Sequence, residues 1–183
     1  MEPLHVTATA VEAGTPLQVW LTLPVLPSGL AADGLATLAQ TLENGAELGG
    51  INVMTMDYGD GAAPAPAGKM GKYAIDAATA LQAQLGSAYQ KIGKSKSQAE
   101  LWAMVGATPM VGLNDVATET FHIADASELL VFAQQKGLGL LAMWSVNRDH
   151  PCNQATVQLN CSSITDQGVD WQFTSTFSAL NGK

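Results

Sequence analysis

Gly50-Ile51-Asn52-Val53-Met54-Thr55-Met56-Asp57-Tyr58-Gly59 is an apolar run that ends abruptly on a carboxylate, a phenol and a glycine. A strand buried on both faces of a parallel sheet reads as a continuous hydrophobic run, and polar groups gather where it emerges at its carboxyl end. The run therefore predicts a buried parallel strand with a functional site at its far end. Three more segments read as strands: Leu17 to Leu23, about Ala103 to Val111, and Gly139 to Ser145. Helix-like stretches separate them, and a β-α-β-α alternation implies an α/β fold with parallel strands joined by right-handed crossovers.

The intervening patterns have helical spacing. Leu35, Leu38 and Leu42 form one apolar stripe, with Gly45 as its stop; Ala74, Ala78, Leu81 and Leu85 form a second, closed by Gly93. Ser97 with Glu100, and Asp125 with Glu128, have the spacing of a capping box, which predicts helix starts at both places. The second helix runs through Ala126, Leu129, Leu130 and Ala133 to Gly137, a left-handed terminator. Phe173, Phe177 and Leu180 predict a last amphipathic helix, and Pro64-Ala65-Pro66-Ala67-Gly68 a loop within one domain, residues 1–183.

Composition narrows the classes. The 183 residues are 47% hydrophobic and 13% charged, a folded chain with no apolar stretch of the ~20 residues a membrane span needs. The net charge of −8 and scattered basic residues leave no concentrated face for a phosphate backbone, so nucleic acid is not an expected partner. No Gly-rich phosphate loop follows the first strand, which argues against a nucleotide-binding domain of flavodoxin-like type. His5, His122 and His150 are far apart, so no metal site and no cofactor is expected. Cys152 and Cys161 lie nine positions apart in a loop-like stretch without the three or four converging ligands a metal site needs, and a local disulfide is the expectation. A disulfide implies an oxidising compartment. Met1 to His5 has neither a basic flank nor an apolar core, so this chain shows no signal peptide, and that mismatch suggests a missing amino-terminal part.

The opening decamer resembles the sixth barrel strand of glycoside hydrolase family 18, the chitinases. Val19-Trp20-Leu21-Thr22-Leu23-Pro24-Val25-Leu26-Pro27-Ser28-Gly29-Leu30 is similar to that family's fifth strand and loop. Ala107-Thr108-Pro109-Met110-Val111-Gly112-Leu113-Asn114-Asp115 resembles strand seven, and Leu140-Leu141-Ala142-Met143-Trp144-Ser145-Val146-Asn147-Arg148-Asp149 resembles strand eight. The four segments occur in family order and cover roughly residues 17 to 180. The fold this implies is a partial (β/α)8 TIM barrel of about four β/α units, strands five to eight; a whole barrel needs about 250 residues.

The resemblance implies a secreted hydrolase of β-1,4-linked N-acetylglucosamine polymers that retains anomeric configuration through the substrate's own acetamido oxygen. It gives Asp57 and Tyr58 the catalytic task of holding the acetamido group, and makes Trp144 the floor of the distorted sugar. Many relatives read Met-x-Tyr-Asp where this chain reads Met54-Thr55-Met56-Asp57-Tyr58, so the phenol is displaced by one position. Met54, Asn114 and Asp115 complete the candidate substrate-binding set. Met54 and Met56 also read as barrel filling, Asn114 and Asp115 equally as an Asx turn, and Arg148 with Asp149 as a structural ion pair. Trp20, Trp102 and Trp171 read as packing residues.

The family's Asp-x-x-Asp-x-Asp-x-Glu motif, which holds the catalytic acid, occurs nowhere in the chain; Glu119 is expected in the loop after strand seven, and no glutamate is expected to end a strand beside Asp57. Three expectations follow. The chain alone is inactive, with a non-catalytic chitin or N-acetylglucosamine-binding protein as the alternative. Its partner is the missing amino-terminal half barrel or, through unpaired strand edges and an uncovered inner face, a second copy. The parent enzyme is extracellular.

Overall fold

The computed structural model of the chain describes residues 18–180; Leu17 and His5 lie outside them. Four strands, β1 (Trp20–Pro24), β2 (Gly50–Met54), β3 (Val105–Thr108) and β6 (Leu140–Leu141), form one sheet in the order β1-β2-β3-β6. Every pair is parallel, with Leu21 opposite Ile51, Ile51 opposite Val105 and Gly106 opposite Leu140. Helix α1 (Ala32–Glu43) joins β1 to β2; α2 (Met70–Lys91) and α3 (Gln98–Ala103) join β2 to β3; α4 (Ile123–Lys136) leads to β6; and α5 (Gln172–Ser178) ends the described chain. A short antiparallel hairpin, β4 (Gly112–Leu113) with β5 (Thr120–Phe121), interrupts the path between β3 and α4.

Helices cover one face of the sheet. Ile51, Val53, Val105 and Ala107 are fully buried and pack with Leu38, Ala74, Ala77, Ala78, Leu81, Leu85, Leu129 and Ala133 of α1, α2 and α4. Alanine on the buried side of α2 lets that helix approach the strands closely, while each fully buried Leu, Ile or Val contributes about 1.5–3 kcal/mol. The alternate residues of the strands face the other way. There Met54, Thr108, Leu140 and Ala142 are only half-buried and Thr22 is exposed. Asn52 spans this inner face, its Nδ2 donating to the Thr22 hydroxyl at 3.4 Å and its Oδ1 accepting from the Thr108 hydroxyl at 2.8 Å. At the opposite end from Asp57, the Trp20 ring lies across Gly50 and Gly139; a Cβ at either would sit 2.3 Å and 2.9 Å from it.

The predicted strands are shorter than their apolar runs. Ala103 closes α3 and Met104 caps it, so β3 begins at Val105. Beyond the regular strands the chain stays extended on isolated bonds, from Thr55 N–H to Thr108 O, Ala142 N–H to Ala107 O, Trp144 N–H to Pro109 O, and Val111 N–H to Trp144 O. Ser97 and Glu100 form the expected capping box. Asp125 does not begin its helix: α4 starts at Ile123, and Asp125 is its third residue, accepting the His122 N–H at 2.8 Å and, across the structure, the Gly71 N–H at 2.8 Å. The carboxylate is drawn into the core by α2, which a local spacing rule cannot register. Gly137 ends α4 in the left-handed region, as expected.

Candidate functional site at the strand ends

Asp57 sits three residues beyond β2, in a turn that takes the left-handed region at Asp57 (φ 52°) and again at Gly59 (φ 79°). Strand alternation had placed Ile51, Val53 and Thr55 on the helix face and Asn52, Met54 and Met56 on the inner face; the turn inverts that order. Tyr58 swings into the core, 7% exposed, its ring edge-on to Tyr73 with centroids 6.2 Å apart. Asp57 stays half-exposed. Burial, reinforced by the charge of Glu119, pushes the Tyr58 phenol far above its ordinary pKa. The phenol is thus packed against Tyr73 and is not among the accessible groups at the strand ends where the resemblance places it.

The loop after β3 closes over this turn. Val116 N–H donates to Asp57 Oδ1 at 3.0 Å, and the Thr118 hydroxyl to Asp60 Oδ1 at 2.7 Å. Glu119 lies directly beneath: Tyr58 N–H donates to its Oε2 at 3.1 Å and Gly59 N–H to its Oε1 at 2.7 Å. Glu119 lies in the loop after β3 as expected and ends no strand, yet the β4–β5 hairpin folds it back under the β2 turn, a proximity the sequence did not reveal. Glu119 is 0% exposed. Burial raises its pKa, with the nearby Asp57 adding to the rise and the amide donors opposing it.

Asn114 is 1% exposed, its Nδ2 donating to Met110 O and Gly112 O at 2.9 Å each. It holds the loop through its side-chain N–H group and not as an Asx turn, since its Oδ1 accepts no hydrogen bond among the described residues; Asp115 is exposed beside it. Met54 is half-buried at the end of β2. Trp144 is 58% exposed on the extended continuation of β6, bridged in parallel to Met110 at the end of β3. The Trp144–Ser145 peptide is cis. Asp57, Asp115 and Trp144 thus share the carboxyl end of the sheet as accessible groups, with Met54 on the face below.

Beyond Trp144, a 3-10 turn (Val146–Arg148) delivers two buried charges. Arg148 donates to Val111 O at 3.0 Å, to Leu113 O at 2.6 Å, and to Gln158 O. Asp149 accepts instead from Phe173 N–H at 3.0 Å and Thr174 N–H at 2.7 Å, the first-turn amides of α5. The expected Arg148–Asp149 ion pair is replaced by two separate tethers, one to the β4 loop and one to the last helix. Cys152 and Cys161 are disulfide-bonded, with α-carbons 5.9 Å apart, and close the loop that Arg148 and Asn147 hold. Trp102 packs on Phe132, whereas Trp171, expected in the core, is 47% exposed against His150.

Among the described residues no cluster of three His, Cys, Asp or Glu side chains is placed to hold a metal ion. Two surface hollows, one between α1 and α2 and one beside His122, Glu128 and Asp166, include neither Asp57 nor Trp144.

No protein-family model matches the sequence. A bifunctional chitinase/lysozyme described as probable, from Escherichia coli (strain K12), is 41% identical over 138 residues, 75% of this chain and 15% of its own length. Endochitinase 11 of Metarhizium anisopliae is 41% identical over 138 residues, 75% of this chain and 26% of its own. The chain thus spans well under two thirds of either. Among solved structures, the catalytic domain of a hyperthermophilic chitinase from Pyrococcus furiosus superposes with a TM-score of 0.81 at 31% identity, over 96% of this chain and 54% of that one. Mutants of active domain 2 of that organism's thermostable chitinase, complexed with chito-oligosaccharides, give 0.80 at 31%. The chain is a relative of the chitinases of glycoside hydrolase family 18, matched to them over a part of their length.

Proposed function

We propose that the chain supplies strands five to eight of a chitinase-like barrel and carries the acetamido-binding and sugar-stacking part of its site. The observation that carries this is the pairing of a half-exposed Asp57 with a 58% exposed Trp144 at the same end of a parallel sheet whose inner face is uncovered. Asp57 Oδ1 is occupied by the Val116 N–H, and the second carboxylate oxygen has no hydrogen-bond partner among the described residues. That oxygen is available to accept the acetamido N–H of N-acetylglucosamine and orient the carbonyl oxygen toward the anomeric carbon. The Trp144 ring offers a flat apolar floor for the sugar.

Cleavage also needs a protonated acid at the glycosidic oxygen, and a positioned general acid contributes typically about 10²–10⁴-fold. Glu119 does not supply it, because it is enclosed and committed to backbone amides. The acid comes from the complementary half of the barrel, so the chain alone binds β-1,4-linked N-acetylglucosamine polymers without hydrolysing them. An exposed Trp144 without an acid also favours a second reading, a non-catalytic chitin-binding protein. The test mixes the chain with a separately produced amino-terminal half bearing Asp-x-x-Asp-x-Asp-x-Glu and follows chito-oligosaccharide cleavage. Turnover only on mixing, lost in Asp57→Ala and Trp144→Ala, supports the half-barrel reading. Binding without turnover in any mixture supports the second, and turnover by the chain alone overturns both.

A further inference from the structure

Glu119 is a fully buried carboxylate that the chemistry above does not use. Its two oxygens take the two amides that follow Asp57, at 3.1 Å and 2.7 Å. In return the Asp57 carboxylate takes an amide of the loop that carries Glu119, Val116 N–H at 3.0 Å. That loop is closed on itself by Glu119 N–H to Val116 O at 2.8 Å and Asn114 N–H to Glu119 O at 3.0 Å. Two turns from different strands therefore hold one another through reciprocal carboxylate–amide bonds. The arrangement has a backbone consequence. A non-glycine residue at φ 52° is sparsely populated and persists where the surroundings over-determine it. Consecutive amides turned toward one anion form such a determinant, because a carboxylate satisfies both donors at once.

We propose that Glu119 is a positioning residue for Asp57: it holds the Asp57–Gly59 turn in the left-handed conformation that leaves the Asp57 carboxylate open at the strand ends and sends Tyr58 into the core. The inference deepens the reading of Asp57 as the acetamido-orienting group and rests on it. Without the clamp, regular strand alternation would return Asp57 toward the helix face and Tyr58 toward the cleft, the reverse of what the site needs.

The raised pKa of Glu119 supplies a readout that mere structural support would not. Its folded-state pKa lies above the unfolded one, so its contribution to stability is fully present at low pH and is lost as pH rises through the folded value. The clamp runs in the opposite sense, since protonation discharges the acceptor of both amides. Sugar affinity governed by Glu119 thus falls with falling pH in the range where its effect on stability improves. The charged or titratable groups that meet Glu119 are Asp57 and Tyr58 of the turn; one step further out, Asp76 on α2 acts on Tyr58, Arg148 of the 3-10 turn on Asp57 and Asp115, and Asp60 accepts from Thr118 of the loop.

The experiment uses the full chain and an N-acetylglucosamine tetramer, with amide NMR and titration calorimetry on wild type, Glu119→Gln and Asp57→Ala. In wild type, the Tyr58, Gly59 and Val116 amides should share one titration above the ordinary glutamate range. Glu119→Gln should abolish that titration, shift the Val116 amide and weaken tetramer binding about tenfold or more, as expected for lost hydrogen bonds to a charged group. Unmoved Val116, Tyr58 and Gly59 amides in Glu119→Gln overturn the proposal, as does unchanged tetramer affinity where Asp57→Ala abolishes binding. If wild type does not bind the tetramer while the amides respond as expected, the sugar reading of Asp57 falls and the clamp stands. If Glu119→Gln fails to fold, the wild-type titration decides: its absence overturns the clamp.

Discussion

Asp149→Ala should be among the most destabilising single substitutions in the chain. Asp149 is 0% exposed, and its carboxylate accepts four hydrogen bonds: Gln167 Nε2 at 2.7 Å, Phe173 N–H at 3.0 Å, and the N–H and hydroxyl of Thr174 at 2.7 Å each. The two amides belong to the first turn of α5, where no intrahelical acceptor exists. Losing a cap of this kind costs about 0.5–2 kcal/mol, and each buried donor left without a partner about 1–3 kcal/mol. Phe173 is buried and Phe177 is 7% exposed, so fraying of α5 also uncovers core. Water entering the vacated space offsets part of this, and the expected total is about 3–5 kcal/mol. For a chain of this size that lowers Tm by about 6–20 °C at ~2–4 °C per kcal/mol. Urea unfolding followed by far-UV circular dichroism, with Trp171 fluorescence reporting on the start of α5, measures it. Asp149→Asn keeps the shape and one acceptor, and should lose about half as much. A midpoint for Asp149→Ala within about 0.5 kcal/mol of wild type would refute the capping argument.

Two further outcomes follow from the structure. The ten-residue loop closed by Cys152–Cys161 is worth about 2–3 kcal/mol by loop-closure entropy, so Cys152→Ser/Cys161→Ser should lower the urea midpoint accordingly; thiol titration of the denatured, unreduced chain should find no reactive thiol, and two would overturn the pairing. The inner face bearing Met54, Thr108, Leu140 and Ala142 should drive self-association of the isolated chain, and sedimentation showing only a compact monomer at micromolar concentration would contradict this.

Much of the scaffold was legible from residue patterns alone. The apolar run Ile51–Met54, the stripe Ala74-Ala78-Leu81-Leu85, the Ser97/Glu100 box and the Gly137 terminator are local signals, each set by contacts within one element or by a uniform burial of both faces of a strand. The Met-Asp-Tyr-Gly stretch likewise falls where its pattern placed it, at the carboxyl end of the sheet. Two-residue strands such as β4 and β5 carry too few positions for a period to register.

What the tertiary structure alone decided is which polar groups are free to act. Asp57 and Tyr58 are adjacent in sequence, and strand alternation would bury the first and present the second. A left-handed turn gripped by Glu119, some sixty residues away, reverses them. Asp125, Arg148 and Asp149 were similarly reassigned by partners on α2, the β4 loop and α5. The reason is common to all of them. A buried charged side chain takes whatever unsatisfied backbone donors or acceptors the packed elements bring to it, and those partners come from distant parts of the chain. Periodicity in a sequence reports burial, and it does not report the direction from which a hydrogen bond arrives.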